Sequence, residues 1–196
     1  MRNLLRFVRF PRTLPLLLAP LALGGCLAAE PLRYAIEPAV SAAAERVRTS
    51  ADTILIAEVS LPAYARETRL FVETNEDTLE EIENADWADE PERAFANVLV
   101  RELTEITGSD VAIEPWPLGG VPEAELRVRV SHMVRRNDGI LELAGHYAIR
   151  RDELESRNRI ELFSLQVPAP SPEPAAVVRA HAAAWRELAG IIARSL

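Results

Sequence analysis

The only cysteine in this 196-residue chain is Cys26, so no disulfide can form within one copy and the fold must rest on a hydrophobic core. With 48% apolar residues, the chain carries enough material for a core of ordinary domain size. The residues around Cys26 set the next limit. Arg2, Arg6, Arg9 and Arg12 lead into an apolar stretch from Leu14 to Gly25, broken by Pro15 and Pro20. That stretch is shorter than the roughly 20 residues a spanning helix needs. Its order is that of an export signal: a charged start, a short apolar middle, and small residues before a cut. Residues 1–25 are therefore read as a signal peptide, 26–50 as a tether and N-terminal segment, and 51–196 as one folded domain.

The run Leu23-Gly24-Gly25-Cys26 resembles a bacterial lipobox, in which the thiol is acylated and the signal is cut just before the cysteine. Each buried methylene of an acyl chain contributes about 0.8 kcal/mol, so several chains anchor far better than one. This reading makes the lipid on Cys26 the only attached group, with no cofactor. Leu27 rather than Asp follows the cysteine, a pattern that directs lipoproteins to the periplasmic face of the outer membrane; the inner membrane is the alternative.

All 22 basic residues are arginine, and four of them lie in the signal. The remaining 18 face all 30 acids, a formal charge of −12 for the mature chain. That excess repels nucleic acid and anionic headgroups, so nucleic-acid binding is not expected.

Leu32 to Ile36 alternates like an edge strand, and Ser41–Ser50 has no apolar stripe. Thr53–Leu61 is β-branched and apolar, a buried strand that stops at Pro62; Thr68–Val72 is a second, short strand. Asn75–Ala85 is so acidic that it reads as a solvated loop. Next comes a helix, with Asp89 expected as its N-cap, Pro91 in the first turn and Gly108 as its stop. Ala94, Phe95, Val98, Leu99, Leu103 and Ile106 form its apolar face.

Val111–Glu114 is a short strand, followed by the turn-rich segment Pro115–Pro122. From Glu125 to Val134 the chain alternates, with Leu126, Val128, Val130, His132 and Val134 on one face. Asn137-Asp138-Gly139 predicts a hairpin turn, and Ile140–Arg150 returns antiparallel. Arg159–Val167 is a further strand, and Pro174 opens a last amphipathic helix carrying His181 and Trp185. The predicted fold is α+β: a mixed, mostly antiparallel sheet with two amphipathic helices packed on one face, a two-layer sandwich.

Taken together, Tyr34, the segment Val59-Ser60-Leu61-Pro62-Ala63-Tyr64, Trp87-Ala88 at the first helix, Leu99, Leu103, the 126–149 hairpin and the Trp-bearing last helix resemble the ABC-type transport auxiliary lipoproteins, of which PqiC-like proteins are members. Ala65-Arg66 departs from that family's usual continuation after its tyrosine. The resemblance implies a membrane-anchored auxiliary subunit rather than an enzyme. Its partners would be an MCE-domain periplasmic protein and an ABC permease and ATPase that move lipid between membranes and support envelope integrity. Assembly into a homo-oligomer is plausible by the same analogy. The alternative is a stand-alone structural or assembly lipoprotein of the outer membrane.

Chemistry-bearing motifs are sparse. His132, His146 and His181 show neither HxH nor HExxH spacing, so no metal ligands are expected, and no nucleophile elbow or phosphate loop occurs. The candidate partner-binding residues are Pro62, Tyr64, Trp87 and Trp116, prolines and aromatics at strand ends and in loops, where Trp and Tyr often anchor interfaces. Trp185 is assigned to the core.

Overall fold

The computed structural model describes residues 30–37, 46–74, 78–151 and 158–196. The signal segment, Cys26 and part of the 26–50 tether lie outside these residues. In chain order the elements are β1 (Leu32–Tyr34), β2 (Thr53–Ser60), a 3-10 helix (Ala63–Arg66), β3 (Arg69–Glu73), β4 (Leu79–Trp87), α1 (Pro91–Thr107), β5 (Asp110–Ile113), β6 (Ala124–Arg135), β7 (Ile140–Arg151), β8 (Arg159–Pro168) and α2 (Pro174–Ser195).

The unbroken apolar run of β2 has a topological cause. β2 is parallel to both β5 and β6, and parallel strands are covered on both faces, so alternation is not required. Ile54 and Ile56 are fully buried, and Leu55, which points the other way, is nearly so. The eight strands among the described residues form one mixed sheet. One path runs β1-β4-β3-β6-β2-β5, and β7 and β8 extend from the other side of β6. The long ladders, β6–β7 and β7–β8, are antiparallel, as is β3–β4. The shorter β1–β4, β2–β5, β2–β6 and β3–β6 ladders are parallel. Both helices pack together on one face, giving the expected two-layer α+β fold.

The core lies between the helices and that face. Phe95, Leu99 and Leu103 of α1 meet Val177, Trp185, Leu188 and Ile192 of α2, all fully buried. The Trp185 ring stacks on Phe95 at 4.7 Å and 18°. Glu102 is completely buried on α1 and accepts a 2.8 Å hydrogen bond from Arg186 of α2. An ion pair left half-made at such depth costs about 3–5 kcal/mol, so this contact fixes how the two helices register.

Three expectations are corrected. The acidic stretch read as a loop through Ala85 contains β4 from Leu79 onward; residues 75–77 lie outside the described set. Its acids are tolerated because much of β4 is exposed, and only its end, Ala85 and Trp87, enters the core. Asp89 is not the N-cap of α1. Glu90 occupies that position without a side-chain cap bond, while the Asp89 carboxylate accepts the Glu90 N–H at 2.8 Å and pairs with Arg93. The alternation of β6 fails at its midpoint. A register shift against β7 between Val130 and His132 turns Met133 into the core and leaves His132 half-buried, as a β-bulge does. Within the N-terminal segment the expected edge strand forms. Leu32–Tyr34 pairs with β4, Val47 N–H donates to the Ile106 carbonyl at 2.9 Å, and the Ser50 hydroxyl donates to the Leu196 carbonyl at 3.0 Å.

Candidate interaction surface

Pro62 and Tyr64 sit where β2 turns into the 3-10 helix, whose Ala65 and Arg66 N–H groups donate to the Pro62 carbonyl at 2.9 and 3.2 Å. The Tyr64 ring stands edge-on to Phe71, and its hydroxyl accepts the Met133 N–H at 2.9 Å, just past the β6 bulge. Burial raises the Tyr64 pKa. Next door, Leu61 N–H donates to Glu92 of α1 at 3.0 Å. The segment from Leu61 to Tyr64 therefore joins β2, β6 and α1, and its groups are engaged inside the fold.

Trp87 is buried, edge-on to Phe95 at 5.5 Å and to His181 at 5.4 Å. Tyr64 and Trp87 share a cavity of about 10 Å³ with Phe71, Met133 and His181. At that size it barely holds one water and is no ligand site. His181 is 3% exposed, with Nδ1 at 2.9 Å from the Val177 carbonyl. Burial drives its pKa down to about 4, against a smaller upward pull from that carbonyl.

Trp116 stands apart from this group. It lies in the loop between β5 and β6, half-buried, and its indole N–H is buried with no hydrogen-bond partner among the described residues. Around it, Leu118 and Val121 are 51% and 70% exposed. Glu123 anchors the loop's end to β2, its N–H donating to the Thr53 hydroxyl at 3.0 Å and its carboxylate accepting the Asp52 N–H at 2.6 Å. The loop is thus tied to β2 at its end and leaves apolar side chains exposed at its tip.

Sequence reasoning placed the strand now called β8 but missed its outward face. Ile160 and Leu162 are 74% and 86% exposed, on the face opposite to Phe163 and Leu165, which are buried. The signal was present: Arg159–Val167 has apolar residues at both parities, more than one buried face needs. An open trough of about 760 Å³ runs beside them, with Ala148, Ile149 and Ile160 in its lining. Its charges are already matched. Burial raises the Glu125 pKa, but hydrogen bonds from Arg127 and Arg150 outweigh that and hold it below the usual carboxylate range. Arg159 pairs with Glu161 at 3.1 Å.

Glu161 also faces inward, where the Tyr147 and Ser195 hydroxyls donate to it. The Tyr147 bond foremost lowers its pKa. Among the described residues no cluster of three or more His, Cys, Asp or Glu suits a metal ion. None of their helices is long and apolar enough to cross a membrane.

Comparison with solved structures agrees with this architecture. The crystal structure of an uncharacterized protein superposes with a TM-score of 0.68 at 20% identity, covering 85% of this chain and 98% of that one. A DUF330-family protein from Xanthomonas campestris gives a TM-score of 0.62 at 17% identity, covering 82% and 92% of the two chains. At these identities the likeness is one of fold. A search of curated proteins finds no match. The ABC-type transport auxiliary lipoprotein component family matches residues 34–193, from β1 to the last turn of α2, and the chain belongs to that family.

Proposed function

We propose that this protein is a non-catalytic auxiliary subunit of an MCE- and ABC-type intermembrane lipid transport system and supports envelope integrity. Acyl chains on Cys26 hold it at the periplasmic face of the outer membrane. The observation that carries this reading is the family match over residues 34–193, starting eight residues after a lipobox-like cysteine. Among the four residues proposed for partner contact, Pro62, Tyr64 and Trp87 have their groups engaged within the fold, apart from Trp116. Trp116, carried between Leu118 and the β5 end, makes the direct contact to the MCE-domain protein.

The test is photocrosslinking in the cell from position 118 or 121 of the full-length protein, followed by affinity purification and mass spectrometry. The expected product is an MCE-domain protein, with its permease or ATPase in the same eluate. Trp116→Ala should lower that yield at least tenfold, equivalent to about 1.4 kcal/mol of binding. Recovery of outer-membrane or cell-wall assembly proteins alone would replace the transport reading with that of a structural lipoprotein.

A further inference from the structure

The mature chain is strongly acidic, yet one of its faces presents cations and apolar side chains together. Both helices cover a single side of the sheet, which leaves the other side of β6, β7 and β8 open. Alternation along these strands puts Arg127, Arg129 and Arg150 on the open side with Ile160 and Leu162. The ladders align them in rows, Arg127 beside Ala148 and Ile160, and Arg129 beside His146 and Leu162.

The acids of this face lie low. The Glu125 side chain is 12% exposed between Arg127 and Arg150, whose side chains are 58% and 68% exposed. Glu58 is shared between Arg127 and Arg129 at 3.7 and 3.8 Å. The groups that stand outermost are therefore guanidinium groups, and each has more N–H donors than one carboxylate uses. Beside them project Ile160 and Leu162, the two most exposed large apolar side chains among the described residues. The open trough lies between arginine and isoleucine, with Ala148 in its lining. Cations next to protruding apolar groups suit a lipid surface, where the apolar groups pass below the headgroups and the cations meet phosphate.

The length of chain after the anchor points the same way. Leu32 follows Cys26 by six residues, and a stretch of that length reaches about 20 Å when fully extended. β6 alone, with 12 residues, is about 36 Å long. With acyl chains on Cys26, the domain is held against the leaflet rather than clear of it. β4, which pairs with β1 at the anchored end, carries Glu80, Glu81 and Glu83 and is the less favourable side to turn toward phosphate.

We propose that the open face of β6, β7 and β8 is a membrane-resting surface. Ile160 and Leu162 enter the headgroup layer of the leaflet that holds the anchor, and Arg127, Arg129 and Arg150 meet lipid phosphates. The inference rests on the Cys26 anchor and is independent of the MCE partnership.

The test uses the full-length lipidated protein in vesicles of equal parts phosphatidylethanolamine and phosphatidylglycerol. Acylation consumes Cys26, so one introduced cysteine takes a fluorescent label alone. Ser164→Cys places the label on the open face, and Glu187→Cys places it on the exposed side of α2, in the opposite layer. A lipid with a quencher high on its acyl chain should quench the label at 164 and leave that at 187 bright. Leu162→Asp should lower the ratio of docked to undocked protein by about tenfold or more. Arg129→Gln should lower it about fivefold, and added salt should weaken the docking of the unaltered face. Neither substitution should change the melting temperature, since both side chains are exposed.

Equal quenching at 164 and 187 would overturn the proposal, as would quenching indifferent to Leu162→Asp. So would a label at 164 shielded from water but untouched by the lipid quencher, because a protein would then cover this face. Protein recovered without acyl chains would remove the anchor reading. In that case quenching at 164 by added vesicles, abolished by Leu162→Asp, would still carry the face, and its absence would overturn it.

Discussion

Replacing Gly145 with alanine would set a methyl carbon 2.2 Å from the Arg129 carbonyl oxygen, 2.9 Å from the Val130 Cα and 3.0 Å from Phe163 Cζ. The first two are backbone atoms of the paired strand β6, beside the bulge that brings it close to β7. Neither can rotate away. Restoring even 3.0 Å requires the two strands to part by close to 1 Å. Hydrogen bonds near 2.9 Å would then exceed the distance at which they contribute. Losing about two such bonds, at about 1 kcal/mol each, adds to an overpacking cost of about 1–3 kcal/mol. The expected loss is therefore on the order of 3–5 kcal/mol. For a domain of this size each kcal/mol lowers the melting temperature by about 2–4 °C, so Gly145→Ala should melt at least 6 °C lower by circular dichroism or calorimetry. Gly119→Ala is the control, since its added carbon meets nothing within 4 Å and its backbone is unstrained. A Gly145→Ala protein melting within 2 °C of that control would refute the close approach and the bulge geometry behind it.

Other substitutions test other parts. Tyr64→Phe leaves the Met133 N–H without its acceptor, so urea unfolding should show a loss of about 1–3 kcal/mol, while partner recovery stays unchanged; unaltered stability would show that the hydroxyl does not hold the bulge. His181 stays neutral when folded, with a pKa of about 4 against 6.5 for the ordinary group. The unfolded chain therefore binds the proton first, and this contribution is complete above pH 6.5 and lost as the pH falls toward 4, on the order of 3 kcal/mol in all. Between pH 7 and 4.5 the unfolding midpoint of His181→Phe should fall less than that of the parent protein; parallel curves would refute the assignment. Cys26→Ala should accumulate as uncleaved precursor and leave the outer-membrane fraction, as read by mass and fractionation; normal maturation would remove the lipid-anchor reading.

The elements most legible in the sequence were those whose pattern is set locally. The apolar stripe of α1, Gly108 in the left-handed region at its end, and the hairpin at Gly139 with φ 81° follow from side-chain periodicity and turn chemistry alone. What was illegible depends on a partner strand. Nothing in residues 124–135 announces where β6 bulges, because the shift is defined only against β7. The acids of β4 look like a loop until β3 and β1 are placed beside them. The candidate site divided in the same way. Aromatic character singled out Tyr64, Trp87 and Trp116 together, but burial separates them: Trp87 joins the core, and Tyr64 bonds β6. Only the Trp116 loop keeps exposed apolar neighbours, Leu118 and Val121. The outward face of β8 escaped notice because an exposed leucine and a buried one look alike until the sheet assigns their sides.

α2 follows every strand of the described residues, yet Trp185, Leu188 and Ile192 are among the most deeply buried side chains in the core. While the chain emerges N-terminus first, from a ribosome or through a translocation channel, all eight strands can be present and still lack a cover over Leu126, Leu143 and Tyr147. Closure of this core is thereby deferred to α2, a helix of 22 residues. A stop codon shortly before Pro174 would remove that cover and leave Leu126, Leu143 and Tyr147 without it.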